Sequence, residues 1–391
     1  ATANSSAAIT VTWTDATATG YLIKGSTVSY ADIVAPVDGV AETNGTLVRN
    51  VTSGVQTYQF TGLTPSTPYY FKIFPYNGTG GQTNFKVDGS VPQATATTNA
   101  PPTVLNPGDI AILQVNSATT DRIAFVTFVD LNPGTVINFT DNGFTSATTV
   151  RTGEGFLIYT APAFIPAGTV VSWYDGMAIA GTGWSAKISN FVLTDGDQLF
   201  AYQGTWDNSQ TLIYGVNLNA WITSGGGSTT TSYMPSTLTD NVNAFCFASN
   251  KYNAYYSNIT SGTKNALKSL ITYNTNWTTA TADQGAQTWT FALGTTTSLN
   301  ANSSVYNLTV ATGETFTLES AKQLTLNGTL TNNGTFNLLS TAAGTATILT
   351  NGTVSGSGTT NVQQWLTVTR QWWYLSSPLT AATSNVFAPT G

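Results

Sequence analysis

Histidine is absent from the 391 residues. That absence removes Ser-His-Asp and Cys-His nucleophile systems, His-ligated zinc and the usual general base near neutral pH. There is a single cysteine, Cys246, set in the apolar run NAFCFAS. No internal disulfide can form, and the thiol reads as a small buried apolar side chain rather than a reactive one. Charge is scarce: 8% of residues are Asp, Glu, Lys or Arg, against roughly 25% in an ordinary globular protein. Thr, Asn, Ser and Gly supply the polar surface instead, which suits a secreted or cell-wall setting. With a net charge of -6 and single, scattered cations (Lys24, Arg49, Lys72, Arg151), no basic stripe exists to neutralise phosphates, so nucleic acid is not an expected partner. No apolar run approaches the roughly 20 residues of a membrane helix, and membrane insertion is not expected.

What is present alternates with period two. AITVTW, TYQF, YYFKIF, TVINFT, TVVSWY and FTLES place apolar or β-branched residues at every second position, the pattern of half-buried strands. The fold class is therefore all-β: tandem β-sandwiches followed by a short β-solenoid. One helix is expected over Gly262 to Ile271, with Ala266, Leu267, Leu270 and Ile271 on one face and Thr260 or Ser261 as its cap. Loop composition divides the chain into a sandwich over 1–99, closed by the linker ATATTNAPP, a larger sandwich with the helix over 103–296, a solenoid over 298–361 and the start of a further β domain over 362–391. The chain begins at Ala1 without Met or a charged leader and stops inside that last segment, which reads as a processed piece of something longer.

In the first module, Leu63, Pro65, Thr67 and Tyr69 of GLTPSTPYYF form a Leu-x-Pro-x-Thr-x-Tyr corner, with Trp13 expected in the core of the opposing sheet. A tyrosine there buries its ring while its hydroxyl bonds backbone across the corner. This stretch resembles the fibronectin type III family, in particular a divergent form in secreted Bacteroidetes proteins that also carries PVDG (Pro36 to Gly39) and FPYNGTG (Phe74 to Gly80). The resemblance implies a spacer or binding module.

The stretch from GDIAILQV to FVLTDGDQLFAYQG resembles an extracellular sandwich domain distantly similar to lamin tails. Its acids sit in turns: Asp141 in TDNG, Glu154 in GEG, Asp175 in YDG, Asp195 and Asp197 in TDGD. Asp-Asn-Gly and Asp-Gly-Asp suit calcium, because side-chain and carbonyl oxygens converge where glycine permits the bend. They equally suit plain turns. Asp141, Asp195 and Asp197 are thus candidate calcium ligands, and no other cofactor is implied. With only four glutamates, Glu42, Glu154, Glu314 and Glu319, nothing places an acid and a base at glycosidase separation. The aromatics Trp173, Tyr174, Trp184, Trp206, Trp221, Tyr252, Tyr255 and Tyr256 either build a sugar-stacking face or fill sandwich cores, and KYNAYYSN reads as an exposed loop.

In LTLNGTLTNNGTFNLL, Asn-Gly recurs too soon for ordinary hairpins. A solenoid accounts for it, with strands Leu324 to Leu326, Thr329 to Thr331 and Thr335 to Leu339 as three sides of a coil and the Asn-Gly pairs as corners; a small sandwich of short strands is the alternative. The expected inward column is Leu308, Val310, Phe316, Leu318, Leu324, Leu326, Leu330, Phe336, Leu338, Ile348 and Val354. The tail, with Trp365, Trp372, Trp373 and Ser376-Ser377-Pro378, resembles segments that follow such solenoids in Bacteroidetes cargo of type IX secretion. Frequent Asn-x-Ser/Thr triplets read as turn chemistry.

The function expected is that of a non-enzymatic extracellular surface protein, an adhesin or a subunit of a fibre, whose partners are other copies of itself or surface glycans. The alternative is the accessory region of a larger secreted hydrolase.

Overall fold

The computed structural model describes residues 1–366. Trp372, Trp373 and the Ser376-Ser377-Pro378 run lie outside them, as does most of the further domain expected from residue 362. The backbone clusters into two compact units: residues 1–260 with 271–293, and residues 261–270 with 294 onward. Apart from one α-helix and two 3-10 turns, the regular elements among the described residues are strands.

In the first module, a three-stranded sheet (Thr2–Ser5, Ala8–Thr12, Thr57–Thr61) faces a second sheet built around Gly20–Ser26 and Pro68–Asn77. Alternation decides which side chains enter the core. Ile9 and Val11 from one sheet meet Tyr21, Ile23, Phe71 and Ile73 from the other, with Phe60 and Phe71 stacked at 4.9 Å between ring centres. Tyr69 is buried, and its hydroxyl accepts the Thr64 N–H at 2.8 Å. Trp13 packs on the rim of this core, 5.6 Å from the Tyr21 ring.

The second sandwich pairs two five-stranded sheets. One runs Val170–Tyr174, Arg122–Thr127, Ile110–Asn116, Asn253–Tyr256 and Trp277–Ala280; the other runs Phe156–Thr160, Val136–Thr140, Gln198–Gln203, Thr211–Asn217 and Ala244–Cys246. Strands Ile110–Asn116 and Thr211–Asn217 are buried almost end to end. Such strands read as continuous apolar runs because both of their faces are covered.

Ten short strands of the second unit form three sheets in which every pairing is parallel, and a separate hairpin, Ser340–Thr341 with Gly344–Thr345, is antiparallel. Thr296 pairs with Thr315, Thr315 with Thr335, and Thr335 with Thr359, while Leu324 pairs with Ile348 and Leu308 with Leu330. The chain thus visits the three sheets in turn and returns one level further on. Phe316 and Phe336 stack inside, 5.2 Å apart and 7° from parallel.

Three expectations about this region need correction. The helix spans Lys264–Ile271, and its cap is Thr263, whose hydroxyl accepts the Ala266 N–H at 3.3 Å, not Thr260 or Ser261. The inward column is not apolar throughout: Asn332 sits one level beyond Val310, buried, with its amide donating to the Thr359 carbonyl at 3.0 Å. The column also fades along the coil. Phe336 is fully buried and Leu338 and Ile348 are half-buried, while Val354 is 64% exposed.

The Asn-Gly pairs do stand where strands end, but their glycines are there for a different reason. Gly328 and Gly334 are not in the left-handed region that a hairpin turn would use. A Cβ on Gly328 would stand 2.7 Å from the Tyr306 carbonyl oxygen, and one on Gly352 only 1.9 Å from that of Gly328. Close stacking of successive corners excludes a side chain. The asparagines supply the vertical bonds: Asn351 donates to the Asn327 side-chain oxygen at 3.1 Å, and the Asn307 oxygen accepts the Thr329 N–H at 2.7 Å.

Candidate functional site

The acidic turns of the second sandwich converge on one segment, Phe191–Asp197, which belongs to no strand. Phe191 and Leu193 point inward and are buried, while Val192 is 44% exposed. Phe191 meets Trp173 edge-on at 5.8 Å. A segment with this alternation needs partners for its backbone N–H groups, and here they are carboxylates. Val192 donates to Asp141 Oδ2 at 2.9 Å, Leu193 to Asp121 Oδ2 at 3.2 Å and Thr194 to Asp197 Oδ2 at 3.1 Å. Three consecutive amides are held by three different buried acids.

The anchors come from both sheets. Asp121 precedes strand Arg122–Thr127 in one; Asp141 follows Val136–Thr140 and Asp197 precedes Gln198–Gln203 in the other. Asp141 also accepts the Gly155 N–H at 3.0 Å through Oδ1, so it ties a second loop to the same point. Gly155 is obligatory, since a Cβ there would stand 1.9 Å from the Phe191 nitrogen. Asn142 accepts the Glu154 N–H at 3.0 Å, and Glu154 pairs with Arg151. Gln198, fully buried, donates to Asp197 Oδ1 at 2.8 Å, to the Thr229 carbonyl at 3.1 Å and to the Asp141 carbonyl.

Burial without a matching countercharge raises carboxyl pKa values, because the charged form loses its hydration. Burial pushes Asp121 and Asp141 up to about 6, against the opposing pull of the amides that they accept. Burial and the nearby Asp141 raise Glu154 to about 7 in spite of Arg151. Asp197 is also raised, by burial first, with Asp141 and Glu154 adding to it.

Of the candidate calcium ligands, then, the fold brings Asp141 and Asp197 together and spends their oxygens on amide N–H groups. Asp195 is half-buried in the turn between Thr194 and Asp197 and makes no side-chain hydrogen bond among the described residues. No cluster of three or more His, Cys, Asp or Glu side chains with metal-holding geometry occurs among the described residues. Asp121, which completes the arrangement, sits in SATTDRIAF, a stretch with no Asp-Gly or Asp-Asn signature to mark it.

The aromatics divide unevenly. Trp173, Trp184, Trp206 and Tyr256 are buried, Trp221 and Tyr255 are half-buried, and only Tyr174 and Tyr252 are exposed. KYNAYYSN is largely a strand, Asn253–Tyr256, with Asn253, Ala254 and Tyr256 buried, not the exposed loop expected from its polar setting. Cys246 is half-buried, and burial raises its thiol pKa, which keeps the sulfur protonated.

Of the chain's modules, the first has the opposed sheets and the buried corner tyrosine already described. Residues 1–90 match the fibronectin type III domain family. That domain spans the strands from Thr2–Ser5 to Asn84–Phe85. No curated protein matches the chain. No helix among the described residues is long and apolar enough to cross a membrane.

Proposed function

We propose that the chain is a non-enzymatic, extracellular structural or adhesive surface protein that serves as a subunit of a cell-surface fibre. The observation that carries this reading is the parallel winding of residues 296–362, whose stacked strands and interlocked corners make a body that is stiff along its length. One of its outward ladders is uncharged: Thr296, Thr315, Thr335 and Thr359 lie in register. Little repulsion therefore opposes association of strand edges between chains. The fibronectin type III domain at the other end of the sequence is a module suited to spacing or adhesion.

Electron microscopy of the native material tests the reading. Regular filaments with a repeat near one chain length are the expected result. Isolated beaded strings that stay monomeric at all concentrations would refute the fibre subunit, and would direct attention to glycan ligands.

A further inference from the structure

A strap held by a sheet ladder has neutral partners, and its attachment does not depend on pH. The segment Val192–Thr194 is different, because each of its three amides is held by an ionisable group. We propose that Val192–Thr194 is a pH-responsive latch of the second sandwich, closed in mildly acid solution and released as the medium turns neutral to alkaline.

The charges around each anchor set the direction. Asp121 faces Lys187 and Asp175, which are themselves ion-paired at 2.7 Å, so the cation is shared. Asp141 faces Asp121, Glu154 and Asp197. Glu154 has Arg151 beside it, and Asp197 has only the two other acids. One guanidinium thus stands against two buried carboxylates, Asp141 and Asp197, and the half-buried Glu154. Asp141 and Asp197 accept N–H groups on both oxygens, so the protons of the closed latch sit on Asp121 and Glu154, each of which has one oxygen without an N–H donor among the described residues and holds its proton more tightly than it does in water. Opening the segment hydrates them and lets the protons go. Because the closed-state values lie above the ordinary ones, the stabilisation is complete below about pH 4 and is lost as pH rises through about 6 to 7. The connection between the sheets that Asp121 and Asp141 provide is lost with it.

Hydrogen exchange of the whole protein, corrected for the intrinsic pH dependence of exchange, reads the latch directly. Between about pH 5 and pH 7.5, protection of Val192, Leu193 and Thr194 falls by roughly tenfold or more, while ladder amides such as Phe139 and Ala201 stay within about threefold. Two variants separate titration from packing. Asp121→Asn keeps a carbonyl oxygen for Leu193 and removes a titrating group. Glu154→Gln leaves every bond to the segment intact and removes a charge that faces Asp141 and Asp197. Each variant flattens the pH profile of the three amides while leaving their protection at the acid end within about threefold of the parent. Protection in the parent that does not change with pH overturns the proposal. So does a parental profile unchanged in Glu154→Gln, and that variant decides the matter if Asp121→Asn does not fold.

Discussion

Replacing Phe336 by alanine, with Val354→Ala as its partner experiment, measures whether the winding of residues 296–362 is held by its interior. Phe336 is fully buried and stacks on Phe316 at 5.2 Å and 7°, one level back along the coil. Truncation removes the transfer energy of the ring, opens a cavity beneath Phe316 and ends the stack, and such changes cost about 3–5 kcal/mol. Val354 occupies the same kind of inward position by alternation and register, opposite Leu330. It is 64% exposed, so its truncation should cost no more than about 0.5 kcal/mol. The chain has several modules, so one melting curve does not report on this one. Hydrogen exchange on peptides covering residues 315–338 does. The expected loss of protection there is at least about a hundredfold for Phe336→Ala and negligible for Val354→Ala. Equal losses from the two variants, or a loss below about 1 kcal/mol for Phe336→Ala, would show that the interior column is not what stabilises the coil.

Gly155→Ala should destabilise the second sandwich by more than about 3 kcal/mol, because backbone at 1.9 Å cannot yield as a side chain can; unchanged denaturant midpoints would count against the close approach at Phe191. Tyr69→Phe removes the acceptor of the Thr64 N–H and should cost the fibronectin type III domain about 1–2 kcal/mol with its fold retained, read by denaturation of that domain. Millimolar calcium and excess chelator should give the same melting temperature, since the oxygens of Asp141 and Asp197 are already occupied by amides. A calcium-dependent rise would restore the ligand reading.

Local patterns disclosed the elements, and one motif disclosed the first module. Alternation in AITVT and YYFKI selects the residues that the two facing sheets bury, and Tyr69 needs only its neighbour Thr64 to form its corner bond. The Asn-Gly corners were legible as breaks between strands. Their cause was not, because a hairpin and a stacked corner both demand glycine. One demands it for backbone conformation, the other for the approach of the next level, and the sequence is the same. The burial of Asn332 was likewise hidden: its partners are Thr359 and Thr360, a full level away along the coil.

The acids show the limit most clearly. Read locally, TDNG and TDGD are turns or ion loops, and both readings keep the carboxylates near water. The fold instead buries Asp121, Asp141 and Asp197, because a segment lying outside both sheets still brings inward-facing Phe191 and Leu193 with it, and with them backbone amides that cannot go unpaired. A neutral acceptor would satisfy each N–H at lower desolvation cost. Carboxylates offer something a neutral acceptor lacks, a second strong acceptor oxygen on the same carbon, and Asp141 uses its two oxygens to hold Gly155 and Val192 together. Joining two loops at one point therefore selects an acid over an amide, and the charge buried there raises the neighbouring Glu154 to about 7. The same geometric demand that closes the end of the sandwich thus makes its closure depend on protons.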